Sequence, residues 1–345
     1  MSKIANRLNK LRRRLAEEEL EAIFISQPEN RYYLSGFTGS SGFLLITEQT
    51  AILATDFRYT EQARVQSPDY DIIHIAGDMA GWISGLTADL HLSSLGFEAG
   101  HVTFAMHRQL RRVLNRRPSI RLIPSDGIVE SMRAVKEPEE LELIARAAEL
   151  GDAALACIED TICSGMSEQE IARELEKFLR DNGSQAVPFE IIVAAGPNAA
   201  LPHARPSGHI INRGEPIMID IGARVEGYSS DLTRTICLGA DDTFKKIYDV
   251  VLDAQLSAMS IIREGITGEQ VDTAARAVIH NAGYGEAFGH ALGHGIGLAP
   301  HELPRLGQGS SEILKDNMVF SIEPGIYLPG WGGVRIEDLV VIKNG

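Results

Sequence analysis

Pro216-Ile217-Met218-Ile219-Asp220-Ile221-Gly222-Ala223-Arg224-Val225-Glu226-Gly227-Tyr228-Ser229-Ser230-Asp231-Leu232-Thr233-Arg234-Thr235-Ile236-Cys237 is the stretch around which the rest of the chain can be read. Two β-rich runs flank a polar Arg-Val-Glu-Gly segment, with glycine where a positive φ is wanted. The pattern predicts a β-hairpin turning near Val225 and Glu226. Folding about that centre sets Asp220 directly opposite Asp231, with Cβ atoms about 4.5 to 5.5 Å apart. Like charges so placed are unfavourable unless a cation sits between them, or they are protonated or solvated. The hairpin alone leaves both readings open.

A second segment shifts the balance towards a metal. In Ser321-Ile322-Glu323-Pro324-Gly325-Ile326-Tyr327-Leu328-Pro329-Gly330-Trp331-Gly332-Gly333-Val334-Arg335-Ile336-Glu337-Asp338, a Pro-Gly-Trp-Gly-Gly turn centred near Gly330 brings Glu323 opposite Glu337. Two hairpins that each oppose a carboxylate pair, on strands too apolar to be solvated faces, are hard to read as surface accidents. Between them lies Gly289-His290-Ala291-Leu292-Gly293-His294-Gly295-Ile296-Gly297, which can supply a nitrogen ligand. Its histidines are four apart, but glycines at 289, 293, 295 and 297 would each cost a helix about 1 kcal/mol, and Ala291 stands where a zincin helix has its glutamate. An extended glycine-rich segment is the better reading.

Together these motifs, with Pro300-His301-Glu302, resemble the pita-bread metallopeptidases, and within them aminopeptidase P and prolidase, which cleave Xaa-Pro bonds. Tyr33-Leu34-Ser35-Gly36-Phe37-Thr38-Gly39 and Thr55-Asp56-Phe57-Arg58-Tyr59 resemble the creatinase-type N-terminal domain, so the resemblance spans essentially the whole chain. Matched position by position, it implies Asp220, Asp231, His294, Glu323 and Glu337 as metal ligands, with Asp231 and Glu337 bridging and Glu323 also accepting a proton from water. Four carboxylates and an imidazole form a hard, oxygen-rich set suited to manganese, cobalt or iron, able to hold zinc, and without the thiolates of a structural zinc site. Manganese is the preferred candidate. Five ligands are too many for one catalytic ion with an open position, whereas two bridged ions would use them all.

The resemblance further implies that His203, His290 and His301 bind the scissile carbonyl and stabilise its oxyanion. It places Tyr327 near the substrate's proline. Arg335, two residues before Glu337 and therefore on the same strand face, becomes a guanidinium clamp at the site. His209 matches no catalytic position and is read as structural. The implied activity is metal-dependent hydrolysis of the bond between an N-terminal residue and proline in short peptides. The alternatives are a general metallo-aminopeptidase of the methionine aminopeptidase kind and a non-enzymatic binding relative. Relatives also imply a homodimer.

With 345 residues the chain is too long for one ordinary core, and two domains are expected. Its 44% hydrophobic and 23% charged content is that of a globular protein, and a net charge of −14 with no evident basic face argues against nucleic acid or an anionic membrane as partner. No apolar run reaches a membrane span, and Cys157, Cys163 and Cys237 form neither a disulfide framework nor a metal-spaced cluster. They read as small core residues in a cytoplasmic enzyme.

In order, an amphipathic helix over Ile4 to Leu20 precedes short strands alternating with helices up to Ser125. Residues 126–136 read as a linker, with Pro138 opening a long helix. Gly165 stops that helix, and Ser167-Glu168-Gln169-Glu170 is a capping box. About one hundred residues later Gly265 and Thr267-Gly268-Glu269-Gln270 repeat the grammar, and Pro202-His203 is echoed by Pro300-His301. The repeat implies two pseudo-symmetric halves with a site between their hairpins. That agrees with the fold class the resemblance implies, α/β (α+β): a creatinase-like N-terminal domain over 1–125 and a pseudo-symmetric pita-bread catalytic domain over 137–345.

Overall fold

Leu8, Leu11 and Leu15 recur on one buried face of helix α1 (Lys3–Glu17), which Ser2 caps by accepting the Ala5 N–H. The computed structural model describes residues 2–77, 79–114 and 120–345, with only the backbone at 79–81. The chain divides into two units, Met1–Met132 and Arg133–Gly345.

The first unit is built on six strands: β1 (Ala22–Ile25), β2 (Phe43–Thr47), β3 (Ala51–Thr55), β4 (Asp71–His74), β5 (Ser94–Glu98) and β6 (Arg121–Ser125). They form one mixed sheet in the order β4-β3-β2-β1-β5-β6, antiparallel across β1, β2 and β3 and parallel elsewhere. Helices α2 (Pro28–Ser35), α3 (Thr60–Gln66), α4 (Met79–Asp89) and α5 (Phe104–Leu114) lie between strands. Phe24, Leu45, Ile83, Leu95 and Leu110 share its core. Helix α2 has no counterpart in the sequence reading, because its buried Tyr33 and Leu34 are adjacent and give no helical period. Most of the stretch read as linker is itself helical, α6 (Ile128–Ala134).

The second unit carries the repeat. Helices α7 (Pro138–Glu159) and α8 (Glu168–Asp181) precede β7 (Ile192–Ala195), β8 (Pro216–Ile221), the short β9 (Arg224–Val225) and β10 (Tyr228–Ser229), and β11 (Leu232–Cys237). Helices α9 (Asp242–Ile261) and α10 (Gly268–Asn281) precede β12 (Gly293–Gly295), β13 (Glu302–Leu306), β14 (Val319–Ile322), β15 (Gly325–Leu328), β16 (Gly332–Arg335) and β17 (Asp338–Val341). Both capping boxes form, at Ser167/Glu170 and at Thr267/Gln270. The equivalence extends to single hydrogen bonds: Gly165 N donates to Ile211 O at 3.0 Å and Gly265 N to Leu314 O at 2.9 Å. Each helix pair covers its own sheet. Ile171, Leu175 and Leu179 pack with Ile217 and Ile219 in one half, and Val271, Ala275 and Ile279 with Phe320 and Ile322 in the other. This is the pseudo-symmetric catalytic fold expected from the repeat.

All three cysteines are free, but Cys157 and Cys163 are exposed, contrary to the expectation of core residues. The buried stripe of α7 runs through Ala147, Ala154 and Ile158, and Cys157 falls beside it. Among the described residues, no helix is long and apolar enough to cross a membrane.

Candidate metal centre

The first hairpin turns one residue later than its sequence suggests. Glu226 and Gly227 both take positive φ, 48° and 87°, between β9 and β10, the two-residue turn whose twist suits a hairpin. Moving the centre by one residue shifts the register by two: Asp220 pairs with Thr233, not with Asp231. The even shift preserves the face, so the two aspartates remain neighbours along one side of the ladder. The second hairpin pairs Gly325 with Arg335 and Leu328 with Gly332, which places its centre at Gly330 as expected. Glu323 follows β14, and Glu337 lies between β16 and β17, where it bridges to Thr233.

His294 arrives on an extended strand. Side chains at 293 and 295 are barred because a Cβ there would lie 1.9 Å from Ser321 O and 2.0 Å from Leu303 O, so flanking strands close tightly on both sides. The imidazole Nδ1 meets Gly295 O at 3.1 Å and must donate to it, which leaves the Nε2 lone pair for an ion. Nε2 lies 3.3 Å from Glu323 Oε1 and 3.7 Å from Asp231 Oδ2. Asp231, His294 and Glu337 each offer a ligand atom within 4.8 Å of the others. Asp220 Oδ1 and Glu337 Oε1 are buried with no hydrogen-bond partner among the described residues. Orphaned carboxylate oxygens beside a neutral imidazole fit divalent cations and fit little else.

Arg335 ties this cluster together. Its Nη2 donates to Asp220 Oδ2 at 2.5 Å, its Nε to Thr233 Oγ1 at 3.1 Å, and its Nη1 to Tyr327 Oη at 3.0 Å and to Pro202 O at 3.2 Å, beside His203. Thr233 in turn donates to Glu337 Oε2 at 2.7 Å. Ser321 completes the support: its Oγ accepts the His294 N–H at 3.1 Å and donates to Glu323 Oε1 at 3.1 Å. All five expected ligands, His203, His290, His301 and Arg335 line one cleft of ≈ 700 Å³, together with Phe189, Ile192 and Ala204. Tyr327 does not line it directly; its ring packs with Ile192 and Ala204 behind the wall.

His290 differs from the expectation of a group free to bind a carbonyl. Nδ1 donates to Ala291 O at 2.8 Å, so Nε2 is the acceptor for the Tyr327 hydroxyl at 2.9 Å, and both nitrogens are engaged. His209 pairs with Glu215 at 3.2 Å, in keeping with a structural role. Sequence reasoning missed Thr233, although it lies two residues after Asp231 on the same strand face. It also missed Asp272 and Arg276 of α10. Asp272 accepts the Leu292 N–H, while Arg276 grips Asp272 and donates to Phe288 O and His290 O, fixing the segment that carries His290.

Charge crowding sets the electrostatics. Burial, then Glu337 and Asp220, push the Asp231 carboxyl well above its ordinary value; burial, then Glu323 and Asp220, do the same to Glu337. Burial, reinforced by Asp220, lifts Glu323 to about 7 against the opposing pull of Arg335. Burial lowers His290 and His294 to about 4, so both are neutral at physiological pH. Burial opposes the Arg335 charge, but Tyr327, Asp220, Glu323 and Glu337 outweigh it.

These shifts predict how the metal-free protein responds to pH. A carboxyl with a raised folded pKa adds stability below its unfolded pKa and loses it as pH rises through the folded one. For Glu323 that window runs from 4.5 to about 7, and the raised Asp231 and Glu337 carboxyls act in the same direction. The two histidines act oppositely, adding stability as pH rises from about 4 through 6.5. Above 6.5 these histidines contribute no further change, while Glu323 still does. Melting of chelator-treated protein should therefore show Tm falling as pH rises beyond that point, and Asp231→Asn should flatten the fall. A Tm that rises there would contradict the assignment.

Comparison with known proteins agrees with this geometry. Residues 142–344 match metallopeptidase family M24, and residues 7–135 match the creatinase/prolidase N-terminal domain. The chain belongs to metallopeptidase family M24. It is 36% identical to the Xaa-Pro dipeptidase of Pyrococcus furiosus, over 98% of this chain and 96% of that protein. Among solved structures it resembles the Xaa-Pro dipeptidase from Bacillus anthracis, with a TM-score of 0.94 and 39% identity over 99% of this chain and 95% of that one. It also resembles an X-Pro aminopeptidase from Thermotoga maritima, with a TM-score of 0.88 and 38% identity over 97% and 94%. The enzyme is a metal-dependent peptidase.

Proposed function

We propose that the protein hydrolyses the bond between an N-terminal residue and proline in short peptides, using two divalent ions held by Asp220, Asp231, His294, Glu323 and Glu337. The observation that carries this reading is the five-residue cluster itself, with two orphaned carboxylate oxygens and an imidazole lone pair directed into it. The Xaa-Pro peptidases to which the chain is similar along nearly its whole length support the substrate class. Bound ions supply Lewis-acid polarisation and bring the pKa of water towards neutrality. Glu323 accepts the proton of the attacking water. His203 and His301 donate to the carbonyl oxygen as it gains charge. Arg335 holds Asp220 directly and Glu337 through Thr233, and aligns Tyr327, whose hydroxyl is anchored on His290.

Manganese as the native ion, a homodimeric assembly and a cytoplasmic setting complete the proposal. They rest on the donor set and on family resemblance; native metal analysis, light-scattering mass and cell fractionation would each test one. Elemental analysis of purified enzyme should find about two divalent ions per chain. Chelation should abolish hydrolysis, and added Mn²⁺ should restore it. Hydrolysis that survives removal of all metal would sink the reading.

A further inference from the structure

We propose that Glu302 is a positioning residue for His301, holding the loop that aims its imidazole into the cleft through a buried ionic triad with Arg133 and Lys136. The inference rests on the reading of His301 as a carbonyl-binding group.

His301 needs outside support. Its ring makes no hydrogen bond among the described residues, and its nearest aromatic neighbour is the His294 ring, with centroids 4.1 Å apart. Its direction is therefore set by the backbone of residues 296–301, which join β12 to β13. That loop is anchored at its far end by the side chain that follows. Glu302 Oε1 accepts from Lys136 Nζ at 2.7 Å, and Oε2 pairs with Arg133 Nη2 and lies 3.4 Å from Ala299 N. The side chains of Glu302, Arg133 and Lys136 are 4%, 2% and 1% exposed. The loop is pressed on the carboxylate: a Cβ on Gly297 would lie 2.3 Å from Glu302 Oε1. Glu302 also pairs in the ladder with Gly295, next to His294, where the register shifts.

Exposed ion pairs, such as Arg205 with Glu190 on the cleft wall, exchange freely with water and fix little. A buried carboxylate between two cations is different. Removing it would take from both buried cations the carboxylate they share, so few other arrangements are accessible and the loop is held in one of them. Lys136 is itself fixed, since its backbone N–H donates to Asn317 O at 2.9 Å and Val135 bridges to Met318. The segment that enters the second unit thus anchors the His301 loop, a link that spans 166 residues of sequence between Lys136 and Glu302.

A double-mutant cycle on the metal-loaded full chain tests this, using whichever peptide the enzyme cleaves best, so that the outcome does not depend on the proline preference. Glu302→Gln should lower kcat by about 10- to 100-fold, the scale of a catalytic group displaced by about 1 Å, with KM changed less than about 2-fold and metal content retained. In a His301→Ala background the same substitution should add less than about 2-fold, because the group it positions is gone. Glu302→Asp should recover part of the loss. If Glu302→Gln does not fold, Arg133→Met and Lys136→Met replace it in the cycle, each with a smaller drop in kcat and the same cancellation. Equal losses in both backgrounds, or losses that merely follow the fraction of unfolded or metal-free protein, would overturn the proposal while leaving the reading of the site intact. An unchanged rate for His301→Ala would overturn both.

Discussion

Asp231→Asn and Glu337→Gln are each expected to reduce peptide hydrolysis by more than about 10³-fold, well beyond the 10- to 100-fold typical of losing a group that only orients a ligand. Both carboxylates are buried, at 7% and 1% exposure, and Glu337 Oε1 has no partner among the described residues to compensate for loss of an ion. An amide of the same shape keeps the packing but removes the charge that divalent cations require. The fold should survive and the metal-free form should gain stability, because Asp231, Glu337, Asp220 and Glu323 repel one another. Steady-state kinetics on manganese-reconstituted variants, with circular dichroism and metal content measured on the same samples, would check this. Activity within tenfold of the parent, at equal metal content, would show that the assigned residue is not a ligand.

How much of this could be read before the structure depended on whether a signal was local. The capping boxes at Ser167 and Thr267, the glycine turn at Gly330 and the extended segment at His294 follow from short-range chemistry, and each forms. The first hairpin was legible in its existence and its face but not in its register. Both Val225-Glu226 and Glu226-Gly227 are plausible turn centres, and only the positive φ at both Glu226 and Gly227 separates them. The supporting side chains were illegible for a different reason. Thr233 meets Arg335 across 102 positions, and Lys136 meets Glu302 across 166, so no periodicity or spacing could connect them. His290 shows the same limit. Its motif predicts a side chain at the cleft, which is where it lies, but only the positions of Ala291 O and Tyr327 reveal that both ring nitrogens are engaged.

Xaa-Pro peptides should be cleaved at least about 100-fold faster than Xaa-Ala peptides, a difference of roughly 2.7 kcal/mol in the transition state. The bond before proline has no N–H, so an enzyme that cleaves it cannot rely on a hydrogen bond from that position. Recognition must come instead from an apolar wall for the pyrrolidine ring and from groups that orient the carbonyl. The cleft offers both. Phe189, Ile192 and Ala204 line it, the Tyr327 ring backs the latter two, and His203, His301 and Arg335 face the same space. Tyr327 is held from two sides, accepting from Arg335 at 3.0 Å and donating to His290 at 2.9 Å, so the wall is stiff. A stiff surface discriminates because alanine leaves part of it uncovered while gaining nothing in return. Comparing kcat/KM for Ala-Pro and Ala-Ala on one metal-loaded preparation measures the preference. Adding Ala-Pro-Ala then separates a dipeptidase, which requires the carboxylate of proline itself, from an aminopeptidase, which tolerates a continuing chain. Equal rates on Ala-Pro and Ala-Ala would make a general metallo-aminopeptidase the better description, because the wall would then be selecting nothing.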